Sequence, residues 1–139
     1  MDTNVLVAGL LSPFGPPGDV VRMIASGSLS LCFDARILSE YTHVLGRPKF
    51  PFHEAHIHAL MDQVKAAGIV VAGDPLPAGL PDSADEPFLE VALAGRAQCL
   101  ITGNLKHFPA STRQGMRVFT PREFLNWYRE ASRSRKHPR

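Results

Sequence analysis

The chain of 139 residues has little of what marks the specialised classes of protein. It has two cysteines, Cys32 and Cys99, each inside an apolar stretch and without CxxC spacing, so it has neither a disulfide framework nor a cysteine metal motif. No apolar run approaches the roughly 20 residues that span a bilayer, and no charged-then-apolar leader opens the chain. We therefore expect a cytoplasmic protein with structural thiols and no membrane contact.

What the chain does have is enough apolar residues for one core: hydrophobic residues make up 45% of it. Its net charge of +2 comes from the end of the chain, because Arg133, Arg135, Lys136 and Arg139 are all basic and the body without them is mildly acidic. We predict one domain over residues 1–130 and a basic, disordered tail over 131–139. An acidic body does not bind nucleic acid non-specifically, so any such activity needs a defined site.

The hydrophobic pattern alternates between short strands and amphipathic helices. The predicted strands include SLSLCF (28–33), IVVA (69–72), QCLIT (98–102) and MRVFT (116–120), with helices between them. With the opening stretch as the first strand, this alternation predicts an α/β protein: a five-stranded parallel sheet covered by helices on both faces.

The opening stretch, MDTNVLV, has two interpretations. Asp2 suits the position before a helix, where its side chain would bind a backbone N–H group. Alternatively, Asp2 is a functional carboxylate at the end of a short first strand. The local sequence leaves both open.

Ligand sites of parallel sheets lie beyond the carboxyl ends of the strands. Polar residues stand at several such ends, including Asp2, Asp34, Asp74 and Thr102. Two further groups of acids are candidates. Asp82, Asp85 and Glu86 precede a helix, where capping accounts for one acid better than for three. Glu40 falls at the edge of the apolar stripe of its own helix, although a surface ion pair would explain it equally well.

Four stretches together resemble the PIN-domain nucleases, in particular the VapC-like toxins of toxin–antitoxin systems. These are MDTNVLVAGLLSPFGPP, LSEYTHVLGRPKF, LPDSADEPFLEVALAGRAQCLITGNLKHFP and VFTPREFL, which cover most of residues 1–128. The resemblance implies a three-layer α/β/α fold with strand order 3-2-1-4-5. It also implies catalytic and metal-binding roles for Asp2, Glu40 and Asp85.

By the same resemblance, Asp82 and Asn104 are further metal ligands, and Asn4 and Thr102 hold the carboxylates in place. Clustered carboxylates repel each other unless a cation lies among them, and oxygen ligands suit Mg²⁺ or Mn²⁺. The activity implied is endoribonuclease, with RNA as substrate, a cognate antitoxin as partner and a homodimer as the usual assembly. Arg47 and Lys49, after the helix of Glu40, are candidate RNA contacts.

Two features depart from the family pattern. Asn104 stands where PIN domains usually carry a fourth acid, so a second metal ion is in doubt. Only Met1 precedes Asp2, whereas the family has several strand residues there. We expect either a short central strand or a sequence that begins at an internal start.

Two alternatives remain from the sequence. A receiver-like signalling domain has the same alternation, and Asp74 and Thr102 fit two of its roles, but no lysine follows the last strand. A metal-free, regulatory RNA-binding PIN domain would explain Asn104. A zinc-protease motif is excluded in HEAHIH (53–58), because HExxH requires His where Ile57 stands.

Overall fold

The computed structural model describes residues 1–136, in which six α-helices and four two-residue strands alternate. The helices are α1 (Thr3–Leu11), α2 (Pro16–Ala25), α3 (Ala35–Leu45), α4 (Glu54–Ala67), α5 (Glu86–Ala94) and α6 (Pro121–Lys136). The strands are β1 (Cys32–Phe33), β2 (Ile69–Val70), β3 (Leu100–Ile101) and β4 (Val118–Phe119). Three short 3₁₀ helices cover Ser83–Asp85, Leu105–His107 and Ala110–Thr112. Within the described residues, no helix is both long and apolar enough to cross a membrane.

The strands form two parallel pairs rather than the single five-stranded sheet that the sequence predicted. Cys32 lies opposite Ile69 in the β1–β2 pair, and Leu100 lies opposite Val118 in the β3–β4 pair. Residues 1–136 contain no fifth strand that joins the pairs. The apolar run after Asp2 does not supply one, because it forms α1 instead.

Local signals in the sequence account for the helix ends. Asp34 precedes α3 and accepts a hydrogen bond from the backbone of Ile37 at 3.1 Å, while Gly46 ends the helix. Prolines occupy the first turn of α2 and of α6, where a missing N–H costs nothing. The helices predicted from apolar periodicity are therefore confirmed, because propensity, capping and burial agree there.

The two strand pairs share one core. Helix α5 contacts β1 and β3, one strand of each pair, and α6 contacts β4 and α2. Several side chains are almost completely buried in this core: Val20, Tyr41, Leu89, Leu100 and Phe108. The Tyr41 hydroxyl donates a hydrogen bond to the carbonyl oxygen of Met1, which ties α3 to the start of the chain.

Helix α6 continues through Lys136 and so includes residues 131–136 of the tail for which the sequence predicted disorder. No glycine or proline interrupts residues 131–136, so nothing in their sequence breaks the helix. Residues 137–139, the rest of the predicted tail, lie outside the described residues.

The bond between Tyr41 and Met1 gives a test of this packing. Tyr41→Phe leaves the buried Met1 carbonyl oxygen without its donor, and we expect a loss of about 1–3 kcal/mol in the free energy of unfolding. Urea denaturation measures it. Tyr128→Phe is the matched control, since Tyr128 is only half-buried, and it should cost less than about 0.5 kcal/mol. Equal losses in the two variants would contradict the assigned bond.

Candidate metal-binding site

Asp2 lies between the first turn of α1 and the end of β3, and its side chain is 5% exposed. One carboxylate oxygen, Oδ1, accepts the backbone N–H of Val5 at 3.1 Å and caps α1. The other, Oδ2, accepts the hydroxyl of Thr102 and the backbone N–H of Gly103, the latter at 3.2 Å. Three hydrogen bonds therefore satisfy a buried charge, and about one acceptor position of the carboxylate remains open.

The N-cap interpretation of the opening stretch is confirmed, whereas no strand precedes Asp2 and its functional role stays a prediction. Asp2 caps α1, and it also lies at the carboxyl end of β3, where its backbone N–H donates to the carbonyl oxygen of Ile101 at 3.0 Å. The N-terminal end of α1 places a positive partial charge beside this carboxylate.

Glu40 reaches the same region from α3. Its Oε2 accepts a hydrogen bond from the hydroxyl of Thr3, the first residue of α1. Thr3 is buried and Glu40 is half-buried, so this bond fixes the Glu40 side chain next to the residue that follows Asp2. This bond counts against a surface ion pair for Glu40, because its partner is a buried hydroxyl and not a surface cation, while the functional role of Glu40 stays a prediction.

The three acids before α5 have separate roles. The carboxylate of Asp82 caps the Ser83–Asp85 helix, accepting from the backbone of Ala84 at 2.9 Å. Glu86 accepts the backbone N–H of Leu80 at 3.1 Å and fixes the preceding loop. Asp85 differs from both, because its Oδ2 is buried and accepts no hydrogen bond from any described residue.

The pKa of Asp85 is raised, first because burial disfavours its charged form and then because of nearby carboxylates. Those carboxylates belong to Asp82, Asp2 and Glu40, while His107 acts in the opposite direction. The charges of Asp82, Asp2 and Glu40 therefore act on Asp85 from three separate segments of the chain. The shared metal site that the resemblance implies stays a prediction.

His107 is a neighbour that the sequence analysis missed. Its Nδ1 lies 3.2 Å from Oδ2 of Asp85, although the two atoms form no hydrogen bond. A positive charge on His107 would lower the pKa of Asp85. Thr3 was missed as well. Its position between two candidate residues, Asp2 and Asn4, was the only signal in the sequence.

The polar residues after β3 act chiefly on the backbone. Thr102 is fully buried and binds Asp2, as expected of a residue that holds a carboxylate. Its hydroxyl oxygen also accepts the N–H of Asn104 at 3.1 Å. The Asn104 side chain is exposed and caps the next 3₁₀ helix by accepting from Lys106 at 3.0 Å. Asn4 is exposed, with its Cβ facing Gly103, and forms no side-chain bond to Asp2 or Glu40.

No group of three or more His, Cys, Asp or Glu side chains in residues 1–136 has the arrangement of a metal-binding group. The carboxylates influence one another's charge but do not converge on one point. Their open acceptor positions nevertheless suit a hard cation: Asp85 has a buried oxygen without a donor, and Asp2 has a free position.

The profile of the PIN domain family matches residues 1–106, which hold every one of these acids. The chain belongs to the PIN domain family. No curated protein and no solved structure matches it significantly. PIN domains have an α/β fold, generally act as metal-dependent nucleases and typically use divalent metals.

The other residues that the sequence analysis considered lie outside the group formed by Asp2, Glu40, Asp82 and Asp85. Arg47 and Lys49 are exposed in the loop after α3, and the Lys49 ammonium lies 5.1 Å from the centre of the Phe50 ring. His53, His56 and His58 are exposed, and the ring of His53 packs edge-on against that of His56. Asp74 is exposed in the loop after β2, and nothing observed there favours the receiver-like alternative.

The raised pKa of Asp85 predicts a gain in stability when its charge is removed. Asp85→Asn should raise the melting temperature of the metal-free protein at pH 7 by a few degrees, since it removes an ion that burial and neighbouring carboxylates disfavour. An acid whose pKa is raised by folding destabilises the protein as the pH rises above its unfolded value of about 3.9. The gain should therefore shrink towards zero near pH 4.

Asp62→Asn is the matched control, because Asp62 is an exposed acid on α4 and the same change there should be nearly neutral. Thermal melts from pH 4 to pH 7 without metal measure both variants. A lower melting temperature for Asp85→Asn at pH 7 would mean that the carboxylate stabilises the fold rather than opposing it.

Proposed function

We propose that this PIN domain is a Mg²⁺- or Mn²⁺-dependent endoribonuclease and the toxin of a toxin–antitoxin pair. The observation that carries the proposal is the buried, unsatisfied Oδ2 of Asp85 among the charges of Asp2, Glu40 and Asp82. Neighbouring carboxylates repel each other, and a buried acceptor without a donor also destabilises the fold. A divalent cation would remove both the repulsion and the unsatisfied acceptor.

The chain's own residues would hold this cation as follows. Asp2 would offer its remaining acceptor position, with its orientation fixed by Val5, Thr102 and Gly103. Glu40 would offer the oxygen that does not bind Thr3, and Asp85 would offer Oδ2. Asp82 and Asn104 would stay at the rim, because both side chains already cap 3₁₀ helices.

When bound, such a cation lowers the pKa of water and neutralises charge on a phosphodiester. Asp2 is the most rigid of the acids and would set the cation's position. Asp85 would be ionised by the cation in spite of its raised pKa. His107 lies beside Asp85 at the edge of the site, where a ring nitrogen could exchange a proton with a leaving oxygen.

RNA is the proposed substrate, and three exposed cations are its proposed phosphate contacts. Arg47 and Lys49 follow the helix of Glu40, and Lys106 precedes His107; all three are exposed. Cations at these positions would bind phosphates on either side of the cleaved bond.

Partner proteins are proposed from exposed apolar residues near α1. Leu11 is 48% exposed and Phe14 is 91% exposed, both close to the end of that helix. Exposed apolar residues of this size mark contact surfaces. The proposed occupants of this surface are a second copy of the chain and a cognate antitoxin.

The strand order of the family is also proposed here. If Met1–Asp2 lies between β1 and β3 as a first strand, the order is β2, β1, Met1–Asp2, β3, β4. Counted along the chain from Met1–Asp2, this is the order 3-2-1-4-5.

The first test removes one charge from the proposed site. Asp2→Asn should lower metal-dependent RNA cleavage by two or more orders of magnitude, because a hard cation loses its best-oriented anionic ligand. The amide oxygen of Asn can keep the cap of α1, but the amide nitrogen cannot accept the N–H of Gly103, so we expect a folded variant of lower stability. Cleavage assays of purified protein with and without Mn²⁺, with circular dichroism as the folding check, measure this.

Asp62→Asn is again the control and should cleave like the unaltered protein. Metal-dependent cleavage that survives in Asp2→Asn would show that the activity comes from another site or a contaminant. Absence of cleavage in every variant and metal would favour the alternative of a metal-free, regulatory RNA-binding PIN domain.

The second test adds one charge. Asn104→Asp keeps the cap of the 3₁₀ helix but places a further carboxylate next to the group. Compared with the unaltered protein, we expect a lower melting temperature without metal and a larger increase in melting temperature when Mn²⁺ is added. The added negative charge causes both, because it repels the other carboxylates and attracts the cation. Calorimetric melts of both proteins measure the two shifts. If neither shift appears, Asn104 lies outside the site.

A further inference from the structure

The loop between α3 and α4 combines cations with a pair of aromatic rings. This segment, the aromatic loop, covers residues 46–53, reads GRPKFPFH and contains no acid. The rings of Phe50 and Phe52 stack, with their centres 5.4 Å apart and their planes 27° from parallel. The Lys49 ammonium lies 5.1 Å from the centre of the Phe50 ring, within the range of a cation–π contact. Positive charge and aromatic surface are therefore adjacent in this loop.

Two prolines restrict the backbone that carries these side chains. The N–H of Phe50 donates to the carbonyl oxygen of Arg47 at 3.0 Å, which closes a turn with Pro48 in its second position. Pro51 restricts Phe50, the residue before it, to extended backbone. Phe52 packs against the hydrophobic core, so the stacked pair is anchored on one side. A ligand that binds this loop therefore loses little free energy in ordering it.

The aromatic loop leaves its cations and part of its rings open to solvent. Arg47 and Lys49 are exposed, and Phe50 is half-buried. In the part of the chain that the structure describes, neither cation belongs to an ion pair. The next acid along the chain, Glu54, lies 3.9 Å from His58 within α4. The described residues therefore leave the positive charge of the loop without a neutralising partner.

These features together fit a strand of unpaired RNA. We propose that the aromatic loop is a subsite for single-stranded RNA, in which a base stacks on Phe50 while Arg47 and Lys49 bind the phosphates beside that base. Every base has a flat face that stacks on an aromatic ring, and cations attract the phosphates between the bases. In a duplex the neighbouring pairs cover these faces, so the loop selects unpaired RNA. The subsite rests on the proposed function, because the RNA is the same.

The aromatic loop directly follows the helix that carries Glu40. Leu45, the last residue of α3, comes five positions after Glu40, which is roughly 7–8 Å along the helix axis. An RNA strand bound at the loop can therefore continue along α3 towards the acids. The subsite positions the strand and takes no part in the cleavage itself.

An acidic segment of a protein is the alternative occupant of this loop. Its carboxylates would pair with Arg47 and Lys49, but they would leave the Phe50 ring without a flat partner. The two occupants therefore differ in their dependence on Phe50. RNA needs the face of an aromatic ring, whereas an acidic peptide needs only the cations.

Replacement of the Phe50 ring tests the stacking. Binding of a fluorescent single-stranded RNA octamer to the full chain is measured by anisotropy in EDTA, where a metal-dependent nuclease does not cleave it. An abasic octamer, which keeps every phosphate, is the reference ligand. Phe50→Leu keeps the apolar character but removes the ring, so it should weaken binding of the RNA about tenfold and leave binding of the abasic octamer unchanged. Phe50→Tyr keeps the ring and should bind RNA within about twofold of the unaltered protein.

The cations are tested by the dependence of binding on salt. Lys49→Gln should weaken binding of both octamers alike and reduce the slope of log affinity against log salt by about 0.7, the value for one phosphate of a single strand. Lys65→Gln is the matched control, because Lys65 is an exposed cation in the last turn of α4. It should leave the affinity and the slope unchanged.

Photochemical crosslinking identifies the stacked residue directly, and it needs no variant that could fail to fold. An octamer with iodouridine in place of one base forms a bond to an aromatic side chain against which that base stacks. Mass spectrometry of the digested complex should locate this bond at Phe50 in the unaltered protein. The bond should be lost in Phe50→Leu and restored in Phe50→Tyr, with circular dichroism as the folding check.

Four results would overturn the subsite: equal binding of the abasic octamer, equal binding of an RNA duplex, unchanged RNA binding by Phe50→Leu, or equally tight binding of a glutamate peptide of the same charge. The last result would favour an acidic protein as occupant. Cleavage in Mn²⁺ is measured separately. Cleavage by a protein whose RNA binding ignores Phe50 would refute the subsite alone. Base-dependent binding at Phe50 without cleavage in any metal would refute the nuclease and leave the subsite in place.

Discussion

The carboxylate of Asp2 is the contact on which this structure most depends. It is a buried charge, and its cost is met by three donors: the first turn of α1, the Thr102 hydroxyl and the Gly103 backbone. These bonds join the start of α1 to the carboxyl end of β3. Thr3 then fixes Glu40, so the position of a second acid follows from the first. The position of Glu40 in the candidate site therefore depends on Asp2.

The helices could be predicted because periodicity and caps are local signals in the sequence. The roles of Asp2, Glu40 and Asp85 came instead from the resemblance to PIN domains and stay predictions. The single five-stranded sheet is not confirmed, because the apolar residues after Asp2 form α1 and not a strand. Thr3 and His107 were missed because their roles arise only from tertiary contacts, with partners 37 residues away for Thr3 and in the loop before α5 for His107.

Anomalous diffraction from a crystal of the protein soaked in Mn²⁺ tests the central claim most directly. The account predicts a single dominant peak, at roughly 2.0–2.3 Å from carboxylate oxygens of Asp2, Glu40 and Asp85, with Oδ2 of Asp85 among them. To bind one cation, these side chains would rotate towards each other without a change in the backbone. The hydrogen bonds from Thr102 and Gly103 to Asp2 would stay in place. A dominant peak at His53 and His56, or none near Asp85, would contradict it.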